Sequence, residues 1–277
     1  MARRFSQVDV FTELPYFGNP LAVVIDGEGL RDELMARFAR WTNLSETTFL
    51  LPPTSLEADY RVRIWTPTGE LPFAGHPTLG SCHAWLQSGG RPKQPGVIVQ
   101  ECAVGLVEIL RSSTGVLAFA APPLIRSGDV DEATIDDIAR QLRIPRSAIA
   151  EAQWVDNGPG WIAVMLATAE DVLTVHPTAV EQRIGVVGMY PQGSAHAYEV
   201  RAFVPMSGKV VEDPVTGSLN ASLAQWLIGT GRVSAPYTAT QGAMLGRAGV
   251  AQVSQTEDGR IWVGGHVATG VIGSVEI

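Results

Sequence analysis

An internal repeat is the feature of this sequence that most constrains its fold. The chain has 277 residues, and similar residues recur 138 positions apart, which is close to half of that length. The matched pairs are Arg63 with Arg201, Thr78 with Thr216, and Asn19 with Asn157. A repeat of this kind indicates two structurally related halves.

Each copy of the repeat leads into a segment rich in small residues. The first such segment ends at Gly90-Arg91 and the second at Gly231-Arg232. The second contains Ser218, Ala221, Ser222 and Ala224, and a helix of such residues is slim enough to pack closely on several sides. We therefore expect each half to consist of strands wrapped around one nearly buried helix.

Hydrophobic periodicity predicts the other elements. Amphipathic helices are expected at 30–41, with Leu34, Phe38 and Trp41 on one side, and at 134–142, with Ile135, Ile138 and Leu142 facing inward. The small-residue helices are expected at 78–87 and 218–228. The predicted strands are 21–25, 47–51, 60–65, 97–100, 106–110, 116–120, 161–166, 197–203, 248–255 and 259–263.

Composition restricts the class of protein. Hydrophobic residues make up 45% of the chain and charged residues 17%, so a sizeable core is expected. The formal net charge of -8 argues against a nucleic-acid surface. No apolar stretch follows the basic N-terminus and no run approaches the length of a membrane span, so we expect a cytoplasmic protein without membrane contact.

The two cysteines, Cys82 and Cys102, do not have the spacing of a metal site. We expect them to be reduced thiols packed in the structure. No metal ligand set and no glycine-rich nucleotide loop is visible, so we expect no metal and no cofactor.

Polar residues stand in the two loops before the small-residue helices. The first loop holds Gly75 and His76, and the second holds Asp213, Thr216 and Ser218. A helix N-terminus offers unsatisfied N–H groups and a partial positive charge, which suit a substrate carboxylate. The same residues have a structural alternative, because His76 can buttress a turn, Asp213 can cap a helix, and Thr216 and Ser218 can cap or fill space.

Glu46 lies between a predicted amphipathic helix and a predicted buried strand. Its spacing from Asn43 is that of a capping box, but the residues that follow are β-branched and fit a helix start poorly. Glu46 is therefore either a surface residue or a carboxylate directed at a site, and the sequence leaves both open. A carboxylate shielded from water is suited to proton transfer near neutral pH.

Several segments resemble the PhzF-like phenazine-biosynthesis family, in the same order along the chain. The most specific are the Glu-Leu-Pro-Phe-Ala-Gly-His-Pro block at 70–77 and the Glu-Asp-Pro-Val-Thr-Gly-Ser block at 212–218; segments 18–23, 43–49 and 63–67 also match. The resemblance implies the α+β diaminopimelate-epimerase-like fold, with two pseudo-symmetric domains that are each a β-barrel around a central helix. It also implies a homodimer. We expect domains at 1–115, completed by 264–277, and at 116–263.

The resemblance also assigns roles to residues of this sequence. Glu46 matches the proton-shuttling glutamate, and His76, Asp213 and Ser218 match the other catalytic positions. The expected substrate-binding residues are Asn19, Gly75, Thr216 and Gly217. Related epimerases place two cysteines in the helix-start loops, whereas Cys82 and Cys102 lie elsewhere, so a two-thiol mechanism is disfavoured.

The predicted function is cofactor-independent isomerisation of a small carboxylate-bearing metabolite held between the halves, of the trans-2,3-dihydro-3-hydroxyanthranilate isomerase type. One alternative is an amino-acid racemase or epimerase that uses carboxylate and histidine as acid and base. Another is a binding protein that kept the fold without the chemistry. The sequence leaves the substrate itself open.

Overall fold

A computed structural model describes residues 1–206 and 208–277, and it has a mixed α+β architecture rich in strands. The α-helices are α1 (Asp32–Thr42), α2 (Gly75–Gln87), α3 (Glu132–Leu142), α4 (Ala169–Leu173) and α5 (Gly217–Gly229). The first strands are β1 (Ala2–Val10), β2 (Asn19–Val24), β3 (Thr47–Leu51), β4 (Tyr60–Trp65), β5 (Glu70–Leu71), β6 (Val97–Cys102), β7 (Gly105–Arg111), β8 (Leu117–Ala120) and β9 (Arg126–Asp129). The others are β10 (Glu151–Asp156), β11 (Trp161–Met165), β12 (Arg183–Met189), β13 (Tyr198–Met206), β14 (Lys209–Asp213), β15 (Tyr237–Gln241), β16 (Gly249–Gln255), β17 (Ile261–Gly265) and β18 (Val267–Glu276). The predicted α+β class is confirmed.

Contacts along the backbone divide the chain into two compact units. Unit 1 comprises Met1–Ala120 and Gly264–Ile277, and unit 2 comprises Ala121–Val263. The predicted domain limits at 115 and 116 stay a prediction, because a division by contacts does not show that either part folds on its own.

The two units have the same strand pairing. In unit 1, β1 pairs antiparallel with β18 and β2, β2 runs parallel to β3, β3 is antiparallel to β4, and β4 runs parallel to β6. In unit 2, β10 pairs antiparallel with β9 and β11, β11 runs parallel to β12, β12 is antiparallel to β13, and β13 runs parallel to β15. This shared order is the structural counterpart of the sequence repeat.

Helix α2 is enclosed by the strands of unit 1. It contacts β1, β2, β3, β4, β6, β8 and β18, and its buried residues include Thr78, Gly80, Ser81, Cys82 and Ala84. Helix α5 of unit 2 is buried in the same way through residues such as Leu219, Ala221 and Ser222. A helix covered on every side has no polar face, so small residues replace the usual amphipathic pattern in both.

The outer helices are amphipathic, as predicted. In α3, Ile135, Ile138 and Leu142 are buried, and the Asp131 carboxylate accepts a hydrogen bond from the Thr134 N–H at the helix start.

The two faces of β11 are both covered, because Ile162 packs toward α3 while Ala163 lies in the cluster around α5. This strand is therefore an unbroken apolar run rather than an alternating one.

Helix α1 buries a different face from the one predicted. Met35 and Ala39 are its buried residues, whereas Trp41 is 77% exposed and stacks on Phe38. Successive residues turn by about 100° around a helix, so Trp41 lies about 200° away from Ala39. The predicted apolar side with Leu34, Phe38 and Trp41 is therefore not the most deeply buried side of α1.

Helix boundaries also differ from the predictions. Helix α2 begins at Gly75, three residues before the predicted start, and Pro77 lies within its first turn. A proline is accommodated there because the first N–H groups of a helix have no partner within the helix. The elements that were not predicted are helix α4 and strands β1, β5, β9, β10, β12, β14, β15 and β18.

None of the described helices has the length and hydropathy needed to cross a bilayer. Both cysteines are free thiols, with Cys82 buried in α2 and Cys102 half-buried at the end of β6. Burial raises the pKa of Cys82 to about 12, which leaves this thiol protonated at neutral pH.

Gly18 packs so closely that it predicts a sensitive site. A Cβ added there would overlap the Val10 carbonyl oxygen and lie 2.7 Å from the Thr12 methyl group. We expect Gly18→Ala to lower the free energy of unfolding by about 1–3 kcal/mol, because backbone atoms would have to move. Urea denaturation checks this, with Gly69→Ala as control because a Cβ at Gly69 meets nothing within 4 Å. Equal stability of the two variants would contradict the prediction.

Candidate active site

The start of α2 holds a buried histidine. His76 is the second residue of the helix and is 5% exposed. Gly75 precedes it as the first helical residue, and the N-cap residue Ala74 has an extended backbone and makes no side-chain capping hydrogen bond. The first turn of α2 therefore has no side-chain cap at its N-cap position.

Glu46 is brought to this helix start. It directly precedes β3, and its side chain is 16% exposed. Its Oε2 atom lies 3.4 Å from the Nδ1 atom of His76. Of the two alternatives left by the sequence, the structure therefore disfavours a solvated surface residue and places the carboxylate beside the histidine.

The contact between Glu46 and His76 is not an ion pair at neutral pH. Burial lowers the pKa of His76 to about 3, and a hydrogen bond to the Pro20 carbonyl offsets this only in part. A carboxylate 3.4 Å away would normally favour a protonated ring. Desolvation outweighs this attraction because the ring is almost fully enclosed, so a neutral imidazole faces the carboxylate.

Asn19 lies next to this arrangement along β2. It is the first residue of the strand and is fully buried, and the following residue, Pro20, bonds to His76 through its carbonyl. Glu46, His76, Asn19 and Gly75 thus belong to one region of unit 1. Their predicted roles toward a substrate stay predictions.

In unit 2, Asp213 is tied to a buried polar network. Its Oδ2 atom accepts a hydrogen bond of 2.6 Å from the Thr216 hydroxyl, and its carbonyl accepts one of 3.0 Å from Gln241 Nε2. Gln241 also donates to the Thr216 hydroxyl oxygen and accepts from the Thr216 N–H through Oε1, both at 2.9 Å. Gln241 is only 2% exposed, so this network fixes the loop before α5.

One of the alternatives for this loop needs correction. Asp213 is not the N-cap of α5, because the helix begins at Gly217 and its N-cap is Thr216. The hydroxyl hydrogen and the N–H of Thr216 are both donated within unit 2. Thr216 therefore holds Asp213 in place in this structure, and its predicted role in substrate binding stays a prediction.

Ser218 is the second residue of α5 and is separate from the Asp213 network. Its Oγ atom accepts a hydrogen bond of 3.0 Å from Trp161 Nε1, and its carbonyl accepts one of 3.0 Å from Asn157 Nδ2. An indole N–H can only donate, so the serine hydroxyl hydrogen remains available to another acceptor. The predicted role of Ser218 as a donor is compatible with this geometry.

Sequence reasoning missed a glutamine in each unit. Gln100 in unit 1 donates from Nε2 to the Thr78 hydroxyl at 3.0 Å, just as Gln241 donates to Thr216. Thr78 and Thr216 are matched in the repeat, but the glutamines lie in strands among unremarkable residues. Only the recurrence of a glutamine in the strand after each small-residue helix could have indicated them.

An arginine–glutamate pair also recurs before each helix. Arg63 of β4 binds Glu70 with two hydrogen bonds of 2.7 Å, and its third contact is Asp32 of α1. Arg201 of β13 binds Glu212 at 2.9 and 2.8 Å. These pairs fix the hairpins that lead to His76 and to Asp213.

Within the described residues, no group of three or more His, Cys, Asp and Glu side chains is arranged to hold a metal ion. The expectation that the protein works without a metal or another cofactor stays a prediction.

The pKa of His76 predicts how stability depends on pH. An unfolded histidine has a pKa of 6.5 and the folded one about 3, so the unfolded state takes up a proton first as the pH falls. The stability present above pH 6.5 is then lost toward pH 3 by about 1.4 kcal/mol per pH unit. Between pH 7 and pH 5 the wild type should lose about 2 kcal/mol more than His76→Gln in urea denaturation. A ring ¹⁵N signal of His76 that titrates between pH 5 and 8 would contradict this prediction.

The two arginine–glutamate pairs predict unequal effects on stability. The Arg201 and Glu212 side chains are 4% and 11% exposed, against 24% and 34% for Arg63 and Glu70. Glu212→Gln should therefore lower the free energy of unfolding by about 3 kcal/mol, because it leaves a buried charge without its carboxylate. Glu70→Gln should cost less than about 1 kcal/mol, because Arg63 keeps Asp32 and is better solvated. Urea denaturation of both variants tests the order, and a larger loss for Glu70→Gln would overturn it.

Comparison with known proteins identifies the family. A family model described as phenazine biosynthesis-like protein, PhzC-PhzF, matches residues 8–273. Antisense-enhancing sequence 1 of Schizosaccharomyces pombe is 35% identical, over 97% of each chain. The trans-2,3-dihydro-3-hydroxyanthranilate isomerase of Pseudomonas fluorescens is 32% identical, over 87% of this chain and 86% of the relative.

Solved structures agree on the fold. The PhzF-family phenazine biosynthesis protein of Bacillus anthracis superposes with a TM-score of 0.84 at 20% identity and covers all of both chains. A hydroxyproline epimerase of Agrobacterium vitis gives 0.57 at 13% identity, over 99% of this chain and 92% of its own. At these identities the likeness concerns the fold alone. With the family match over nearly its whole length, the chain belongs to the phenazine biosynthesis-like PhzC-PhzF family and is an isomerase.

Proposed function

We propose that this isomerase moves a proton between carbon atoms of a small carboxylate-bearing metabolite, with Glu46 as the proton carrier. The observation that carries the proposal is the position of the Glu46 carboxylate, 3.4 Å from the buried and neutral His76 at the start of α2. A positioned carboxylate can act first as base and then as acid, which isomerisation requires.

The proposed reaction needs no external reactant. The Glu46 carboxylate takes a proton from an acidic carbon, and the electron pair left behind shifts along the conjugated system of the substrate. The resulting carboxylic acid then returns the proton to a second carbon of that system. Substrate and product have the same atoms, and Glu46 ends in its starting state.

His76 orients the carboxyl group in this scheme. A neutral imidazole has only one N–H donor, and His76 bonds to the Pro20 carbonyl. The ring therefore borders the Glu46 carboxyl group without adding a buried charge. The N–H groups of the first turn of α2, beginning at Gly75, supply positive potential for an anionic substrate group. Asp213 and Ser218 are proposed to bind polar groups of the substrate, as the family resemblance implies.

The substrate class is proposed from relatives. The curated relatives include isomerases named for trans-2,3-dihydro-3-hydroxyanthranilate from Pseudomonas species and several named as uncharacterised isomerases. We therefore propose a cyclic amino acid or a related unsaturated acid, with trans-2,3-dihydro-3-hydroxyanthranilate as the first compound to test. A homodimer and a cytoplasmic location stay predictions.

Solvent deuterium uptake tests the role of Glu46. With an accepted substrate in heavy water, Glu46→Gln should lower deuterium uptake at least about 100-fold, because the amide cannot accept the proton. Glu33→Gln, a matched change on the exposed surface of α1, should leave the rate unchanged. Circular dichroism of both variants confirms the fold, and uptake that persists in Glu46→Gln would overturn the assignment.

Analysis of the product separates isomerisation from epimerisation. The assay should be run on a panel that also contains small cyclic amino acids such as hydroxyproline. Proton transfer between two carbons changes the position of a double bond, whereas epimerisation inverts one carbon, which chiral chromatography detects. Inversion without a double-bond shift would favour the racemase alternative over the proposed reaction.

A further inference from the structure

A cleft in unit 1 lies at the C-terminal end of α2, away from His76 and Glu46. It has a volume of about 360 Å³, and its polar lining residues are His83, Gln87, Arg91 and Arg111. This volume is within the range of small-molecule sites. Helix α2 has 13 residues, so its two ends are roughly 18 Å apart, and the cleft is distinct from the candidate active site.

The charge of the cleft is positive. Arg91 and Arg111 line it, and none of the lining residues is acidic. Arg111 is close enough to His83 that its charge, after burial, contributes to lowering the pKa of that histidine to about 4. The chain as a whole has a net charge of -8. The cleft is positive nevertheless, because two arginines and no carboxylate line it.

The arginine of unit 2 that corresponds to Arg91 makes structural contacts. Arg232 is the counterpart of Arg91, since each follows a glycine that lies shortly after the end of a central helix. Arg232 forms an ion pair with Glu151 and lies over the Trp226 ring at 5.4 Å. Among the described residues, Arg91 has neither an acidic partner nor an aromatic one, so the contacts that hold Arg232 are not repeated in unit 1.

Neighbouring groups are also arranged to accept a ligand. The Thr269 hydroxyl donates to Gln87 Oε1 at 2.8 Å and therefore accepts from His83 Nε2, also at 2.8 Å. The Gln87 amide N–H groups remain as neutral donors beside the two guanidinium groups. The carbonyls of Ala84, Trp85 and Leu86 accept hydrogen bonds from Ser88, Gly90 and Gly89, which reduces the negative potential of the helix end.

We propose that this cleft is a second ligand site, which binds a small metabolite bearing a doubly charged oxyanion through Arg91 and Arg111. Guanidinium groups bind phosphate and carboxylate through paired, charge-assisted hydrogen bonds. A phosphate ester and a dicarboxylate share this chemistry. The inference is independent of the reaction proposed for Glu46.

Binding of simple anions to the full-length protein tests the site. Inorganic phosphate and succinate are titrated separately at constant ionic strength, by calorimetry and by NMR of the arginine side-chain Nε–H groups. We expect saturable binding of at least one anion with shifts of the Arg91 and Arg111 signals, assigned through Arg91→Lys and Arg111→Lys. The anion that saturates distinguishes a phosphate site from a dicarboxylate site.

Charge-matched variants show whether the site is specific. Arg91→Gln and Arg111→Gln should each weaken binding about tenfold or more. Arg37→Gln removes the same charge from an exposed position on α1, outside the cleft, and should change the affinity less than about twofold. Circular dichroism confirms that each variant is folded. The proposal is overturned if neither anion saturates, if the arginine signals stay unshifted during binding, or if Arg37→Gln weakens binding as much as the cleft variants.

Discussion

Enclosure of a helix by strands is the constraint on which the rest of unit 1 depends. Helix α2 contacts seven strands, so no face of it can be polar and little room is left for large side chains. A Cβ at Gly80 would already lie 2.6 Å from Leu21 and 3.0 Å from Val10. The same enclosure removes water from the first turn of the helix, and this is what makes His76 a neutral side chain.

The Glu46–His76 contact shows two electrostatic effects in competition. Attraction to a carboxylate would raise the pKa of the ring, whereas burial lowers it to about 3. Burial prevails because the imidazole is nearly enclosed while the carboxylate keeps 16% of its surface exposed. A neutral ring next to a partly accessible carboxylate leaves that carboxylate able to exchange a proton, which is the chemistry that the proposed reaction uses.

The two units preserve interactions as well as strand order. A glutamine–threonine hydrogen bond and an arginine–glutamate pair occur in each, at equivalent places relative to the central helix. The surroundings have diverged: Arg63 makes its third contact with the Asp32 carboxylate, whereas Arg201 uses the carbonyls of Val172 and Val175. The two units therefore share their strand order and these two interactions, whereas the remaining contacts of the arginines differ between them.

The sequence by itself determined the repeat, the α+β class, the family, and elements whose pattern is local, such as the buried face of α3. It could not reveal β12, whose Gly185 and Gly188 look like turn residues. In the fold they allow close approach of Leu219 and the Thr168 carbonyl. The role of Gln241 was also missed, because its partner Thr216 is reached only through the fold. Only the tertiary structure decided that Glu46 lies beside His76 and that Thr216 donates to Asp213. Such contacts depend on strand pairing and burial, which local sequence does not reveal.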